Sequence, residues 1–224
     1  MQFKVDDKNI SIYCESDKDK LPLVVLNSFD ENAQEVIKHC KQLNVDDFIL
    51  VCVSNINWND DMSPWYMDPL FKNEKPYMGK ADDYLELLVN MIIPEVNKHI
   101  DKEIEYYAIA GYSLAGLFAL YSAYKTDMFK TIMSASGSLW YPGFLDFVYN
   151  NKISSNVDKI YFSLGDKEAN TRNELMSKVM DNTLLIKKYL GINLDTCFEE
   201  NEGNHFKDPE LRIAKGISNI IIKN

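Results

Sequence analysis

One stretch of this chain combines a strand, a sharp turn and a helix around a single serine. Residues 106–112 are apolar enough for a buried strand, and residues 114–120 are helix formers. Ser113 stands between them, with Gly111 two residues before it and Ala115 two residues after it. Small residues at these two positions let a chain double back in a strained turn. The pattern predicts a nucleophile elbow, although glycine is more usual than alanine at the second position.

Strands and helices alternate through the rest of the chain. Residues 2–14 predict an antiparallel hairpin, and the apolar strands at 21–26 and 47–53 flank a helix at 35–43. Further strands are expected at 129–136, 158–164 and 194–198, and further helices at 82–100, 144–149, about 175–190 and about 209–221. Such alternation predicts an α/β fold with a mostly parallel sheet covered by helices on both faces. The length of 224 residues suits a single domain over residues 1–224.

Charge and cysteine content narrow the class of protein. The net charge of −10 argues against a general binder of nucleic acid or anionic membranes. Residues 1–8 lack the basic start and apolar core of a signal peptide, and no apolar run could span a bilayer, so a cytoplasmic location is expected. The four cysteines are widely spaced, which favours buried free thiols over a metal site: Cys14, Cys40, Cys52 and Cys197.

A serine nucleophile needs a base within hydrogen-bond reach and an acid that orients that base. The chain has three histidines, and His39 and His99 fall in predicted helices before the elbow. His205 follows the last predicted strand in a glycine-containing loop, which fits the order nucleophile, acid, histidine of α/β-hydrolases. Asp166 and Glu168 both lie in the interval where the acid is expected. Position along the chain leaves the choice between these two carboxylates open.

The predicted elbow also indicates where an oxyanion would be stabilised. The amide of Leu114, which follows the serine, is the first expected donor. The second donor is expected in the loop after the strand at 21–26, from Ser28 or Phe29.

Residues 54–80 form a long irregular segment, and loops of that length usually carry function. Its aromatic residues either line a substrate pocket or pin the segment to the body of the protein: Trp58, Trp65, Tyr66, Phe71 and Tyr77.

Four short motifs together resemble the "Putative esterase" family of α/β-hydrolases, which includes enterochelin esterases, esterase D and feruloyl esterases. The motifs span residues 111–116, 136–140, 165–168 and 203–206, and the resemblance covers the chain from about residue 21 onward. In that family the acid commonly lies three residues after a glycine that ends its strand. The resemblance therefore implies Glu168, with Asp166 as the alternate, and it implies that Trp140 faces the substrate; Tyr112 and Trp65 complete the expected substrate-binding set.

The expected activity is hydrolysis of small-molecule carboxylic esters through an acyl-enzyme on Ser113. His205 is expected to act as base and then as acid, and Glu168 to orient it. No metal or organic cofactor is expected. The alternatives are a siderophore trilactone esterase, an acyl transferase, or a binding protein that keeps the fold without turnover.

Overall fold

A computed structural model describes residues 1–29 and 33–221. The strands among these residues are β1 Gln2–Val5, β2 Lys8–Cys14, β3 Lys20–Asn27, β4 Ile49–Ser54, β5 Tyr66–Met67, β6 Tyr77–Met78, β7 Glu103–Tyr112, β8 Phe129–Ala135, β9 Lys159–Gly165 and β10 Asp195–Asn201. Eight of these strands form one sheet in the order β1-β2-β4-β3-β7-β8-β9-β10, and β5 pairs with β6.

The main sheet is parallel from β4 through β10, and the antiparallel strands β1 and β2 extend it at one edge. The central strands β3 and β4 are almost fully buried, as expected where helices cover both faces of a parallel sheet. The predicted α/β-hydrolase fold, with its N-terminal antiparallel hairpin, is confirmed.

The described helices are α1 Gln34–Gln42, α2 Trp58–Asp61, α3 Ala81–Leu87, α4 Ile93–Lys98, α5 Leu114–Ser122, α6 Phe144–Asn150, α7 Val179–Leu190 and α8 Pro209–Ile220. Buried residues of α1 and α8 share one apolar core, and those of α3 to α7 share the core on the opposite face of the sheet. None of the helices in the described part of the chain is long and apolar enough to cross a membrane.

The helix predicted at 82–100 is interrupted in the middle. A π-helical turn, Leu88–Ile92, joins α3 to α4, and Pro94 is the second residue of α4. Proline has no N–H to donate to the preceding turn, so a regular ladder of α-helical hydrogen bonds cannot run through it. The π-helical turn, which is wider than an α-helical turn, lies directly before the hydrogen bond that Pro94 cannot donate.

Two expectations about burial are wrong. The spacing of apolar residues within 175–190 predicts Leu184 on the buried face of α7, but its side chain is 42% exposed. Thr183 is buried there instead, because its hydroxyl donates a hydrogen bond to the carbonyl of Val179 and satisfies its own polarity inside the helix. Cys14 is exposed and Cys197 is partly buried, so only the other two thiols lie fully in the core.

Candidate active site

Ser113 occupies the turn between β7 and α5 in a backbone conformation that few side chains adopt. Its φ and ψ angles are 59° and −124°. A Cβ atom at Gly111 would lie 2.1 Å from the carbonyl oxygen of Ala115, so the crossing requires glycine at that position. A Cβ atom at Gly116 would lie 3.0 Å from the Cα of Gly137 on the adjacent turn, which is a tight contact. The turn thus holds the serine at the carboxyl end of the sheet, and α5 begins at the next residue.

Three side chains from three strand ends meet at this turn. The Nε2 atom of His205 lies 3.0 Å from the Oγ atom of Ser113, and its Nδ1 atom lies 2.7 Å from an oxygen of Glu168. Glu168 follows β9, and His205 follows β10. Parallel strands place their carboxyl ends at one edge of the sheet, which brings together residues that are far apart in sequence.

Asp166, the alternate acid, faces a different partner. Its Oδ1 atom accepts a hydrogen bond of 2.6 Å from the amide of Gly203, at the start of the loop that carries His205. The structure therefore brings Glu168 to the imidazole and places Asp166 against the backbone of the same loop.

The side chain of Glu168 is buried and surrounded by donors. Its second oxygen, Oε1, accepts hydrogen bonds from the amide of Gly165 at 2.6 Å, the hydroxyl of Ser136 at 2.7 Å and the guanidinium of Arg212 at 2.8 Å. Burial alone would raise the pKa of this carboxyl, but the hydrogen bonds from His205 and Gly165 outweigh it and hold the pKa below its ordinary value. The carboxylate is therefore ionised at neutral pH.

Arg212 and Ser136 are site residues that sequence reasoning did not identify. Arg212 is 2% exposed and lies on α8. A signal was present, because Arg212 shares one helical stripe with the buried residues Gly216 and Ile220, and a charge on an apolar stripe needs a partner. Ser136 adopts a φ of 46° at the end of β8, which no pattern in the sequence indicates.

A cleft of about 280 Å³ opens beside Ser113 and His205. Its apolar walls come from Leu26, Phe29, Val36, Trp58, Tyr112 and Ile213. Phe206, at the rim, is 85% exposed. Glu210 is the acidic side chain that lines the cleft, and no lysine or arginine among the described residues does so. The site therefore suits an apolar substrate group that carries no negative charge.

The predicted substrate-binding residues divide into two groups. Tyr112 lines the cleft, and its hydroxyl donates a 2.6 Å hydrogen bond to the carbonyl of His205. Trp65 and Trp140 do not line it. The indole of Trp65 donates to the carbonyl of Pro142, and Trp140 is 8% exposed. In the segment 54–80 Trp58 thus lies in the cleft, whereas Trp65 pins the segment to the loop after β8.

Among the residues that the structure describes, two of the three predicted oxyanion donors have amides without a hydrogen-bond acceptor. The amides of Leu114 and Phe29 donate no hydrogen bond to any residue of the described part of the chain. The amide of Ser28 donates to the carbonyl of Val53 at 2.9 Å, so it cannot serve as the second donor. Phe29 is the candidate that remains in this loop.

In the described ranges, no three histidine, cysteine or acidic side chains lie close enough together to hold a metal ion.

Comparison with known protein families matches most of this chain to one family, including two of the three residues that meet at the turn. The family model described as "Putative esterase" matches residues 13–196, a span that includes Ser113 and Glu168 and ends before His205. A curated relative, the uncharacterized protein YbbA of Bacillus subtilis strain 168, is 23% identical over 168 residues, which are 73% of this chain and 67% of YbbA.

Solved structures share the fold across nearly the whole chain. The siderophore hydrolase EstB from Aspergillus nidulans superposes with a TM-score of 0.76 at 17% identity, over 99% of this chain and 93% of EstB. An IroE-like serine hydrolase from Shewanella oneidensis superposes with a TM-score of 0.76 at 16% identity, over 98% of this chain and 78% of that protein. At these low identities, both similarities show a shared fold and nothing further.

Proposed function

Since this chain belongs to the "Putative esterase" family, we propose that it is a serine hydrolase that cleaves carboxylic esters through an acyl-enzyme on Ser113. The observation that carries the proposal is the continuous path of hydrogen bonds from Ser113 through His205 to Glu168. A serine hydroxyl is a weak nucleophile, and a base at this distance activates it.

In the first half of the reaction, the Oγ atom of Ser113 attacks the ester carbonyl while Nε2 of His205 takes its proton. Glu168 accepts a hydrogen bond from Nδ1, which holds the imidazole in the tautomer that leaves Nε2 free to accept. The amides of Leu114 and Phe29 are the proposed donors to the oxyanion. His205 then gives its proton to the departing alcohol, and the acyl group remains on Ser113.

In the second half, a water molecule replaces the alcohol. His205 takes a proton from the water, which attacks the acyl carbonyl and forms a second tetrahedral intermediate. Collapse of that intermediate releases the carboxylic acid and returns the proton to Ser113. Apart from the ester and this water, the reacting groups all belong to the protein.

The test compares Ser113→Ala with the parent on p-nitrophenyl acetate and butyrate. We expect kcat to fall by about 10⁴-fold or more, because the nucleophile is removed. Ser122→Ala is the matched control, since this serine ends α5, the helix that follows Ser113, and its hydroxyl donates to the carbonyl of Ala119 within that helix. Equal hydrolysis by the parent and Ser113→Ala would refute the proposal.

A narrower candidate is hydrolysis of a siderophore ester, suggested by the names of two structural neighbours from Aspergillus nidulans, the siderophore hydrolases EstB and EstA. Incubation with a trilactone siderophore, followed by chromatography of the linear products, tests it. Ring opening that is lost in Ser113→Ala supports this substrate. Hydrolysis of nitrophenyl esters without ring opening would exclude it.

A binding protein on the same fold is the alternative of a different class. A fluorophosphonate probe separates the two, because it labels only an activated serine. Labelling that disappears in Ser113→Ala favours the enzyme, and well-folded protein that takes no label favours the binding protein.

A further inference from the structure

We infer that Arg212, on α8, is a positioning residue that keeps the side chains of the proposed acid and base correctly placed relative to each other. This inference rests on the proposed ester hydrolysis and adds to it a residue outside the triad.

The guanidinium of Arg212 binds to four segments that build the site. Its Nη1 atom donates to Glu168 at 2.8 Å, to Ser136 at 3.1 Å and to Tyr112 at 3.3 Å. Glu168 follows β9, Ser136 follows β8, and Tyr112 is the last residue of β7. One side chain of α8 thus connects the turns at the carboxyl ends of three adjacent strands.

The other nitrogen, Nη2, holds the loop of the proposed base. It donates to the carbonyl of Asn204 at 2.9 Å and to the carbonyl of Glu202 at 3.1 Å, on the amino-terminal side of His205. The hydroxyl of Tyr112, itself within reach of Arg212, donates to the carbonyl of His205. Arg212 therefore fixes the acid through its carboxylate and the base through the backbone of its loop.

The charge of Arg212 also acts on the acid. The side chains of Arg212 and Glu168 are 2% and 3% exposed, so their attraction is poorly screened by water. The titratable groups that face the guanidinium are Glu168 and Tyr112, and His205 lies beyond the carboxylate. Loss of the positive charge would favour protonation of Glu168, because an opposite charge stabilises the ionised carboxyl.

A lysine could not replace this arrangement. The planar guanidinium presents its N–H donors in a fixed fork. Here the four N–H groups on its two terminal nitrogens lie within reach of five acceptors, so at least one N–H is shared between two of them. An ammonium group keeps the charge but concentrates three donors at one atom. Comparison of Arg212→Lys with Arg212→Met therefore separates the geometry from the charge.

The experiment measures ester hydrolysis by the full chain carrying Arg212→Lys, Arg212→Met or Arg172→Met. Arg172 is the other arginine of the sequence and is exposed, so it serves as the matched control. A fluorophosphonate titration counts competent serines in each sample, and kcat is expressed per titrated site. Unfolded protein therefore does not enter the rate.

We expect kcat per site to fall about 100-fold in Arg212→Met with little change in KM, because displacement of reacting groups by about 1 Å has an effect of that size. The acid side of its pH–rate profile should move to higher pH. Arg212→Lys should lose kcat while its acid side stays near that of the parent. Arg172→Met should match the parent.

Parent kcat per site and a parent pH profile in Arg212→Met would overturn the inference, even if that variant melts at a lower temperature. A different result marks failure of the proposed function itself: the parent and Ser113→Ala would hydrolyse the ester equally. In that case Arg212 has no reaction to support, and the inference falls with it.

Discussion

Two carboxylates of the loop after β9 lie two residues apart and face different partners. Glu168 contacts the imidazole of His205, whereas Asp166 contacts the amide of Gly203. We expect Glu168→Gln to lower kcat by about 10⁴-fold, because an amide can hold the wrong tautomer of the imidazole. Asp166→Asn should stay within a few-fold of the parent, since its side-chain oxygen still accepts from Gly203. Rates measured on p-nitrophenyl butyrate that fall in the reverse order would make Asp166 the acid.

Glu168 also links stability to pH. Its pKa in the folded protein lies below the ordinary value of 4.5, so its ionised form stabilises the fold above that pH. The contribution is lost as the pH falls through the lowered pKa. Urea unfolding of the parent should therefore show a free energy of unfolding that falls from pH 6 to pH 3.5, and Glu168→Gln should show a smaller fall over this range. Equal slopes in the two proteins would contradict the assignment.

At the residue scale, the sequence predicted which polar side chains come together better than it predicted which aromatic residues line the cleft. The order of serine, carboxylate and histidine followed from the elbow and the predicted strand ends. The choice of Glu168 came from family resemblance, since spacing alone does not show which carboxylate faces the imidazole. Composition cannot tell an aromatic residue that lines a cleft from one that pins a loop, so it does not distinguish Trp58, which lines the cleft, from Trp65, which does not.

At the element scale, the crossing of β7 and α5 depends on one missing side chain. A Cβ atom at Gly111 would lie 2.8 Å from the Cβ of Ala115 as well as against its carbonyl oxygen. Gly111→Ala should therefore lower the melting temperature and abolish hydrolysis, because α5 must move away from the turn. Ala115→Gly is the matched change and should keep hydrolysis, with a loss of about 1 kcal/mol from helix propensity. A Gly111→Ala protein with the parent's melting temperature and rate would disprove the steric requirement.

The elements themselves were largely predictable. Continuous apolar runs predicted the parallel strands, and helical periodicity predicted α1, α3 and α8. A strand buried on both faces is apolar throughout, and a helix buried on one stripe has apolar residues at helical spacing. The π-helical turn before Pro94 was not predictable, since the sequence marks a break in the hydrogen-bond ladder but not how the backbone accommodates it.

At the scale of the whole molecule, the charge of the protein and the charge of its cleft have the same sign. The net charge is −10, and Glu210 lines the cleft with no ion-pair partner among the described residues. Aromatic rings of Phe29 and Trp58 lie on the same walls and pack edge to face at 5.6 Å. Carboxylates and aromatic rings both attract cations.

We therefore expect a preference for esters that carry a positive charge. Acetylthiocholine and its neutral isostere 3,3-dimethylbutyl thioacetate differ in charge at equal shape, and kcat/KM should favour the cation by about 3- to 10-fold. Glu210→Gln should remove the preference. Glu86→Gln, an exposed site on α3, changes the net charge equally and should retain it. No preference in the parent, or an equal loss in both variants, would show that Glu210 does not select the substrate.

Because Arg212 holds the site through hydrogen bonds from α8, the site is completed late in synthesis of the chain. The three proposed catalytic side chains are all present once His205 has been made, yet α8 begins only at Pro209. A chain that stops between the two has every reacting atom and lacks the guanidinium that aligns them. We expect such a nascent or truncated product to hydrolyse esters at least about 100-fold more slowly than the full chain, so that the full rate is reached only after α8 has left the ribosome and docked.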